Sequence, residues 1–335
     1  MIISRTPFRV SLFGGGSDYP AWYREHGGAV FGFSINKYCY ISMRELPPFF
    51  EHKHRIVYSD IELINEIDEI KHPAVRAVLQ ELKPPKGLEI QHQGDLPARS
   101  GLGSSSSFTV GLLNAYYALS GKMIPKRKLA EMAIDLEQNA MKEHVGSQDQ
   151  IWAAFGGMNH IEFNQDDTFL VNPLIIDTNR RKKFLGNLML FFTGLSRYAT
   201  QIAEKQIANL PNRQSHIIKM VDMIAEAESI LQNANAPFAD IGQLLHDSWM
   251  LKKELAKEIC PPAVEEIYQA ALDAGATGGK LLGAGGGGFM LFYAEPEAQP
   301  KIREALGNLT EVHFDIDHAG SKIVIYEPDG LDAQD

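Results

Sequence analysis

A run of small residues between Pro97 and Ser107 is the segment of this chain best suited to hold phosphate. It reads Pro-Ala-Arg-Ser-Gly-Leu-Gly-Ser-Ser-Ser-Ser and leads into an apolar stretch with helical spacing at 108–119. Glycines let successive backbone N–H groups point into one concavity, and a helix N-terminus adds unpaired N–H donors. A helix cap needs one serine, so four serines beside two glycines favour anion binding over capping alone.

A second glycine-rich run lies at 283–288 and reads Gly-Ala-Gly-Gly-Gly-Gly. These letters satisfy G-x-G-x-x-G, but that fingerprint follows a strand and opens a helix. Here helical spacing lies upstream and the strand-like segment 289–293 lies downstream. We therefore expect a tight approach to a ligand near Lys280, and a dehydrogenase is supported by this run alone. The first run is not a Walker A loop, because no Lys-Ser or Lys-Thr follows its glycines.

The elements that must position these runs are of both kinds. Periodicity predicts strands at 1–12, 29–44, 88–92, 158–163, 188–192, 289–293 and 323–326. It predicts helices at 61–82 with a break near Pro73, at 108–119 and 125–143, and over most of the chain to 274. Loops are expected at 94–107 and 275–288, and the polar run 179–183 suggests a domain boundary. Without strict strand–helix alternation, this pattern favours an α+β fold in two layers over a doubly wound sheet.

Composition sets the class of protein. The chain has 335 residues, of which 44% are hydrophobic, and a formal net charge of −10. These values indicate a globular protein of about two domains and disfavour nucleic acid as a partner. Two distant cysteines, no basic leader and no membrane-length apolar run indicate a cytoplasmic protein that is not bound to a membrane. A homodimer is left open.

Three segments together resemble the GHMP superfamily of small-molecule kinases. They are Arg-Thr-Pro-Phe-Arg-Val-Ser-Leu-Phe-Gly-Gly-Gly-Ser-Asp-Tyr at 5–19, the serine run ending at Ser107, and Gly-Gly-Lys-Leu-Leu-Gly-Ala-Gly-Gly-Gly-Gly at 278–288. They occur in the order and spacing of that family and span most of the chain. The resemblance implies an N-terminal mixed α/β nucleotide-binding domain, residues 1–180, and a C-terminal ferredoxin-like α/β sandwich, residues 181–335.

Within that superfamily the chain is similar to bacterial heptose kinases. The similarity lies in the Phe-Gly-Gly-Gly-Ser-Asp start, the doubled serines and the stretch Leu-Phe-Phe-Thr-Gly-Leu-Ser-Arg that ends at Arg197. Those enzymes phosphorylate the anomeric oxygen of D-glycero-D-manno-heptose 7-phosphate, and the 1,7-bisphosphate leads to nucleotide-activated heptose for surface polysaccharide. Galactokinases have Gly-Glu-His-Thr-Asp where this chain has Gly-Gly-Gly-Ser-Asp, which speaks against galactose.

The resemblance implies ATP and Mg²⁺ and gives roles to individual residues. Asp149 matches the catalytic base, and Arg9 matches an arginine beside the transferring phosphate. Glu137 is the expected magnesium ligand together with Ser105, with Ser104 as the alternative because the extra serine blurs the register. The phosphate cradle takes in Pro97, Gly101, Leu102, Gly103, Ser104, Ser105, Ser106 and Ser107. Without the motif, Asp149 would be read as a helix cap and Glu137 as a solvated carboxylate.

The acceptor is expected to meet a second set of residues. Asp18 matches the sugar-binding aspartate of the family and is the rival candidate for the base. The other substrate-binding candidates are Gly15, Gly16, Ser17, Lys37, Gly285 and Gly286. A substrate phosphate would need a cation, and the candidates are Arg24, Lys37, Arg44, His52, Lys53, His54, Arg55, Arg197 and Lys280. Each of these residues taken alone is explained as a solvated charge. We predict only that at least one of them contacts a phosphate of the substrate.

Other readings stay open from the sequence. The acceptor of the kinase could be an unphosphorylated sugar such as fucose, or an alcohol that is not a sugar. A relative without catalysis could sense sugar and ATP, although such a protein need not keep Arg9, Glu137 and Asp149 together. The aromatic residues of 108–117 are interpreted as core rather than as an adenine pocket, and His144 as structural.

Overall fold

Two β-sheets organise the chain in a computed structural model that describes residues 1–195 and 199–329. β-Branched and aromatic residues concentrate in the strands, where they pack well on a pleated surface. In chain order the strands are β1 (Ile2–Phe13), β2 (Gly28–Glu45), β3 (His54–Val57), β4 (Ile61–Ile64), β5 (Leu88–Gly94), β6 (Met158–Phe163), β7 (Phe169–Pro173), β8 (Leu188–Phe192), β9 (Gly278–Leu281), β10 (Phe289–Tyr293), β11 (Thr310–Glu311) and β12 (Lys322–Tyr326).

The helices begin and end where the local sequence favours it, with proline in the first turn of several of them. In chain order they are α1 (Pro20–His26), α2 (Pro73–Leu82), α3 (Ser104–Leu119), α4 (Lys126–Asp135), α5 (Gln148–Phe155), α6 (Thr178–Gly186), α7 (Ala199–Asn209), α8 (Gln214–Gln232), α9 (Ala239–Lys253), α10 (Pro262–Asp273) and α11 (Gln299–Ala305). A π-helical turn, Leu136–Ala140, continues α4. Short 3-10 turns occupy Ile67–Glu69, Leu210–Asn212 and Lys257–Ile259.

The first sheet has the order β12-β1-β2-β5-β3-β4, with β6 paired to β2 and β7 to β6. All of these pairs are antiparallel except β3 with β5. The long strand β2 pairs with β5 through its second half and with β6 through its first half. Helix α3 packs on β1 and β2, and α5 packs on the same two strands and on α3. This packing fixes the start of α3 and of α5 beside the end of β1.

The second sheet is antiparallel, with the order β11-β8-β10-β9. If these four strands are numbered by their order along the chain, they lie in the sheet in the order 4-1-3-2. Helix α11 connects β10 to β11. This is the ferredoxin-like topology that the sequence led us to expect. Helix α9 packs on β9 and β10, and α10 packs on β9.

The end of the chain returns to the first sheet, because β12 pairs with β1. The division into residues 1–180 and 181–335 remains a prediction, and 322–326 extend the N-terminal sheet. The polar run proposed as a boundary lies inside α6, whose first turn is capped by the Asp177 side chain. Among the described residues, no helix is both long and apolar enough to span a membrane.

Most predicted elements are confirmed, and three need correction. The helix expected over 61–82 is wrong in its first part, which is the edge strand β4, where Ile61 and Leu63 alternate with buried Glu62. The loop expected over 275–288 contains β9, a strand of small residues that pairs with β10. The loop expected over 94–107 ends early, because Ser104 already begins α3.

Candidate active site

A cleft of about 1050 Å³ lies where the two sheets face each other. The end of β1, the loop before α3 and the start of α5 line it on one side, and α7, α9, β9 and the loop after β9 on the other. It brings together many residues singled out in the sequence: Arg9, Gly15, Gly16, Asp18, Gly101, Gly103, Ser104, Ser105, Ser106, Asp149 and Lys280.

The serine run forms the floor of the cleft at the N-terminus of α3. Gly103 caps the helix with φ 73°, a left-handed conformation that favours glycine. Its Cβ, if present, would lie 3.2 Å from Asp149 Oδ2, so a side chain there would crowd the acidic group. The helix N-terminus and the bare backbone make a concavity suited to phosphate. Pro97, Leu102 and Ser107 lie outside the cleft; Ser107 is buried and donates to the Pro7 carbonyl.

Arg9 and Asp149, 140 positions apart in sequence, form a bidentate ion pair. Arg9 Nε donates to Asp149 Oδ1 and Nη2 to Oδ2, both at 2.8 Å. Arg9 Nη1 donates to the Gly101 carbonyl at 2.6 Å, which ties the pair to the loop before α3. The Asp149 side chain keeps 24% of its surface exposed, on the side of the cleft. Asp149 lies in the first turn of α5 and is not its cap, which is Ser147.

Asp18 lies close to this pair and is almost completely buried. Its Oδ1 accepts from the Gly16 backbone N–H at 3.0 Å. Burial raises the pKa of Asp18, and the negative charge of Asp149 adds to that effect. A Cβ on Gly146 would lie 1.8 Å from Asp18 Oδ2, so only glycine permits this arrangement. Asp18 and Asp149 therefore form a pair of carboxyl groups with different environments at one end of the cleft.

Glu137 lies behind the cradle and is fully buried. Its Oε2 accepts from Ser106 Oγ at 2.8 Å and from Gln150 Nε2. Its Oε1 has no hydrogen-bond partner among the described residues. Burial raises the pKa of Glu137 to about 7. The hydroxyl beside Glu137 is thus that of Ser106, whereas the Ser105 side chain is exposed and lines the cleft. The pairing of Ser105 with Glu137 at a metal remains a prediction.

Part of the lining of the cleft is aromatic. The rings of His72 and Phe108 stack with centroids 4.6 Å apart, and His92 meets Phe108 edge-on at 5.1 Å. Burial lowers the pKa of His72 to about 4, and the nearby His92 adds to the shift. Phe108, interpreted from sequence as core only, therefore packs in the core and also lines the cleft. His72 was not singled out in the sequence, because nothing local distinguishes it from a histidine that caps α2.

Two lysines line the cleft from the C-terminal half. Lys280 was a candidate in the sequence, and its Nζ donates to the Leu12 carbonyl. Lys252 was missed, since it is one of two adjacent lysines on a helix and looks like a solvated charge. Its Nζ donates to the Leu281 carbonyl at 3.0 Å and to the Gly283 carbonyl.

Other sequence candidates are not brought to the cleft. Ser17 is buried, and its hydroxyl donates to the Gly14 and Ala29 carbonyls, while Lys37 lies elsewhere on β2. Gly285 and Gly286 do not line the cleft. They pack against Ile259, whose carbonyl accepts from Gly286 N, and a Cβ on Gly285 would lie 2.7 Å from Ile259 Cα.

The remaining basic candidates also lie away from the cleft. Arg24 pairs with Asp167, and Arg44 and Arg55 pair with Glu89. The basic run that ends at Arg55 does not reach the cleft either, and Arg197 lies outside the described residues. Of the cations named from sequence for a substrate phosphate, Lys280 is the described one that reaches the cleft. No cluster of three or more metal-binding side chains occurs among the residues that the structure describes.

Known protein families match two segments of this chain. Residues 68–157 match the GHMP kinases N terminal domain, and residues 227–310 match the GHMP kinases C terminal. The D-glycero-alpha-D-manno-heptose 7-phosphate kinase of Campylobacter jejuni is 31% identical over 318 residues, covering 91% of this chain and 93% of that protein. The bifunctional fucokinase/GDP-fucose pyrophosphorylase of Arabidopsis thaliana is 26% identical over 336 residues, which cover 92% of this chain and 31% of that protein.

Solved structures share the fold. A D-glycero-D-manno-heptose 1-phosphate kinase from Bacteroides thetaiotaomicron superposes with a TM-score of 0.79 at 24% identity, covering 98% of this chain and 100% of that one. A Lactococcus lactis galactokinase complexed with galactose gives a TM-score of 0.74 at 18% identity, covering 96% and 94%. The fold and the site define a kinase that transfers a phosphoryl group to an alcohol. The chain belongs to the GHMP kinase family, whose members use ATP as the phosphoryl donor.

Proposed function

We propose that this kinase transfers the γ-phosphoryl group of ATP to the anomeric hydroxyl of D-glycero-D-manno-heptose 7-phosphate, giving the 1,7-bisphosphate and ADP. The observation that carries the chemistry is the Arg9–Asp149 ion pair, which faces the cleft directly beside the phosphate cradle. The choice of sugar is supported by the heptose kinase of Campylobacter jejuni, which matches this chain over nearly its whole length.

ATP would lie along the cleft with its phosphates at the N-terminus of α3. The N–H groups around Gly103 and the serine hydroxyls would hold the β- and γ-phosphates. The aromatic end at His72 and Phe108 offers flat faces for the adenine ring. In this direction the γ-phosphate would lie where Arg9, Asp149 and Asp18 line the cleft.

The acceptor hydroxyl would lie between Asp149 and the γ-phosphate. As its oxygen bonds to phosphorus, the bond from phosphorus to the β–γ bridging oxygen breaks and ADP leaves. The hydroxyl proton passes to a carboxylate oxygen of Asp149, late in the transfer. Arg9 holds that carboxylate in one orientation and places a cation beside the developing charge. Asp18 would accept hydrogen bonds from a neighbouring sugar hydroxyl.

The residues present fit a magnesium ion at Ser106 and Glu137. Glu137 Oε1 is a buried carboxylate oxygen without a partner among the described residues, next to a serine hydroxyl and the cradle. Magnesium prefers one or two carboxylates plus phosphate oxygens, so the absence of a larger acidic cluster in the described part is consistent with it. When bound, Mg²⁺ would neutralise charge on the β- and γ-phosphates.

The test is turnover of ATP against a panel of acceptors: mannoheptose 7-phosphate, unphosphorylated mannoheptose, fucose, galactose and mevalonate. Phosphorus NMR of the product then locates the new phosphate, which matters because the two heptose kinases carry different phosphate positions in their names. We expect turnover with the 7-phosphate and an anomeric phosphate in the product. Asp149→Asn is the matched control for contaminating kinases.

Two outcomes would change the proposal. Equal turnover with unphosphorylated sugars would keep the kinase and its reacting residues but remove the phosphate requirement, as in a fucokinase-like enzyme. No turnover with any acceptor, together with clear ATP binding, would favour another acceptor or a protein that senses sugar and ATP.

A further inference from the structure

The C-terminal wall of the cleft carries two buried lysines that the reaction described above does not use. Lys252 on α9 and Lys280 on β9 expose 8% and 2% of their surfaces, and both line the cleft. Lys252 Nζ donates to the Leu281 and Gly283 carbonyls, and Lys280 Nζ donates to the Leu12 carbonyl. Both ammonium groups are therefore held in place by backbone oxygens.

No carboxylate of the described residues forms an ion pair with either lysine. The carboxylate of Asp149 is already taken by Arg9 on both of its oxygens. Asp18 acts on Lys252 only through the charge between them, and the two lysines and Arg9 repel one another. Burying a cation without an anionic partner costs free energy, so this wall is electrostatically incomplete without an anion.

The donors needed for such an anion are present. An ammonium group has three N–H donors. Within the part of the chain that the structure describes, Lys252 donates two of these N–H groups to carbonyls and Lys280 donates one. Burial lowers the pKa of Lys252 to about 7, with Arg9 contributing, and lowers that of Lys280 well below its usual range. A bound dianion would favour the charged form of both.

A brace between the two domains is the competing explanation. Lys280 does tie β9 to the end of β1, and Lys252 ties α9 to the loop after β9. A brace alone needs a donor and no charge, however, and burying an unpaired charge costs free energy that a neutral donor would avoid. The position of both lysines at an open cleft instead suits a charged ligand.

We propose that Lys252 and Lys280 form a phosphoryl-binding site on the wall opposite the serine cradle. The inference rests on the proposed kinase function for the identity of the anion, since a neutral sugar hydroxyl needs no such pair. Two sources of phosphoryl group are consistent with the site: the group in transfer from ATP, and a phosphate that the acceptor already carries. Each source gives a different kinetic result.

The experiment compares Lys252→Met and Lys280→Met with Lys253→Met as the matched control. Lys253 is the neighbour of Lys252 on α9, pairs with Glu265 and does not line the cleft. Steady-state kinetics use saturating ATP with mannoheptose 7-phosphate and with unphosphorylated mannoheptose. Lys252→Gln keeps an N–H donor without the charge and so separates bracing from charge, while thermal melts of every variant report folding.

We expect kcat/KM of each charge-removing variant to fall roughly 100-fold below that of wild type. If the group in transfer is bound, kcat falls for both acceptors; if the acceptor phosphate is bound, KM rises for the 7-phosphate alone. Either result supports the site. Values within about twofold of Lys253→Met on both acceptors, in a folded variant, would overturn it.

A binding measurement keeps this test separate from the proposed function. Inorganic phosphate is titrated calorimetrically into wild type and Lys252→Gln in the presence of saturating ADP. If wild type turns over no sugar, the proposed function fails. Weaker phosphate binding by the variant would still support the site, and equal binding would reject it.

Discussion

Replacing Glu137 by glutamine should make the protein more stable at alkaline pH while removing most of its activity. Glu137 is fully buried beside Ser106 and Gln150, and one of its oxygens has no partner among the described residues. In the absence of metal, the ionised carboxylate is therefore poorly compensated. Glutamine keeps the shape and the hydrogen bond from Ser106 but carries no charge.

The size of the effect follows from the pKa of Glu137, which burial raises from 4.5 to about 7. Each pKa unit corresponds to about 1.4 kcal/mol, so ionisation lowers the free energy of unfolding by about 3 kcal/mol. A carboxyl whose pKa is raised by folding contributes stability below its unfolded pKa and loses it as pH rises through its folded pKa. The loss in wild type therefore falls between about pH 4.5 and pH 7, and the glutamine variant escapes it.

Scanning calorimetry in EDTA, without nucleotide, is the assay. At about pH 5 the two proteins should unfold at similar temperatures; at about pH 8.5 the variant should unfold roughly 3–6 °C higher. Activity with Mg²⁺ and ATP should fall by about 100-fold or more. Glu131→Gln, on the exposed side of α4, is the control and should show neither effect. A difference in unfolding temperature that is independent of pH, or of opposite sign, would refute the account of Glu137.

Three further predictions concern the reacting groups. Asp149→Asn should lower kcat by roughly 100- to 10,000-fold, because the proton acceptor is lost, while ATP affinity measured by calorimetry stays within about threefold. Ser106→Ala should raise the Mg²⁺ concentration needed for half-maximal rate, whereas Ser105→Ala should not; the reverse order would return the role to Ser105. Gly146→Ala should raise KM for the sugar and leave that for ATP unchanged, because the new Cβ would lie 1.8 Å from Asp18 Oδ2; a matched rise in both would argue against Asp18 at the acceptor.

The sequence predicts the fold well for a physical reason. The first strand, the serine run and the late glycines can each be recognised from consecutive residues, and their order along the chain is typical of one fold. Arg9 and Asp149 could be named, but that they form one ion pair follows only when β1 and the start of α5 lie side by side. The sequence leaves the serine that faces Glu137 open, because successive residues of a helix point in different directions and a row of serines does not say which one faces a given neighbour.

Residues on the C-terminal wall were harder to predict because their chemistry comes from burial alone. Lys252 and Lys253 are adjacent on one helix, yet one is almost enclosed by the cleft and the other pairs with Glu265 outside it. Glycine is equally ambiguous, since it permits close approach to a ligand or to another backbone. Gly285 serves the second purpose, against Ile259.

The contact between the two glycine runs explains why both are needed near one active site. A Cβ on Gly283 would lie 2.5 Å from Gly101 Cα, and one on Gly101 would lie 2.4 Å from the Leu282 carbonyl oxygen. Arg9 donates to the carbonyl of Gly101, and Lys252 donates to that of Gly283. Arg9 and Lys252, from different domains, thus hold the two backbone segments that meet at Gly101 and Gly283. Because Gly283 lies against Gly101, a side chain at Gly283 should act on catalysis by separating the backbones that Arg9 and Lys252 hold.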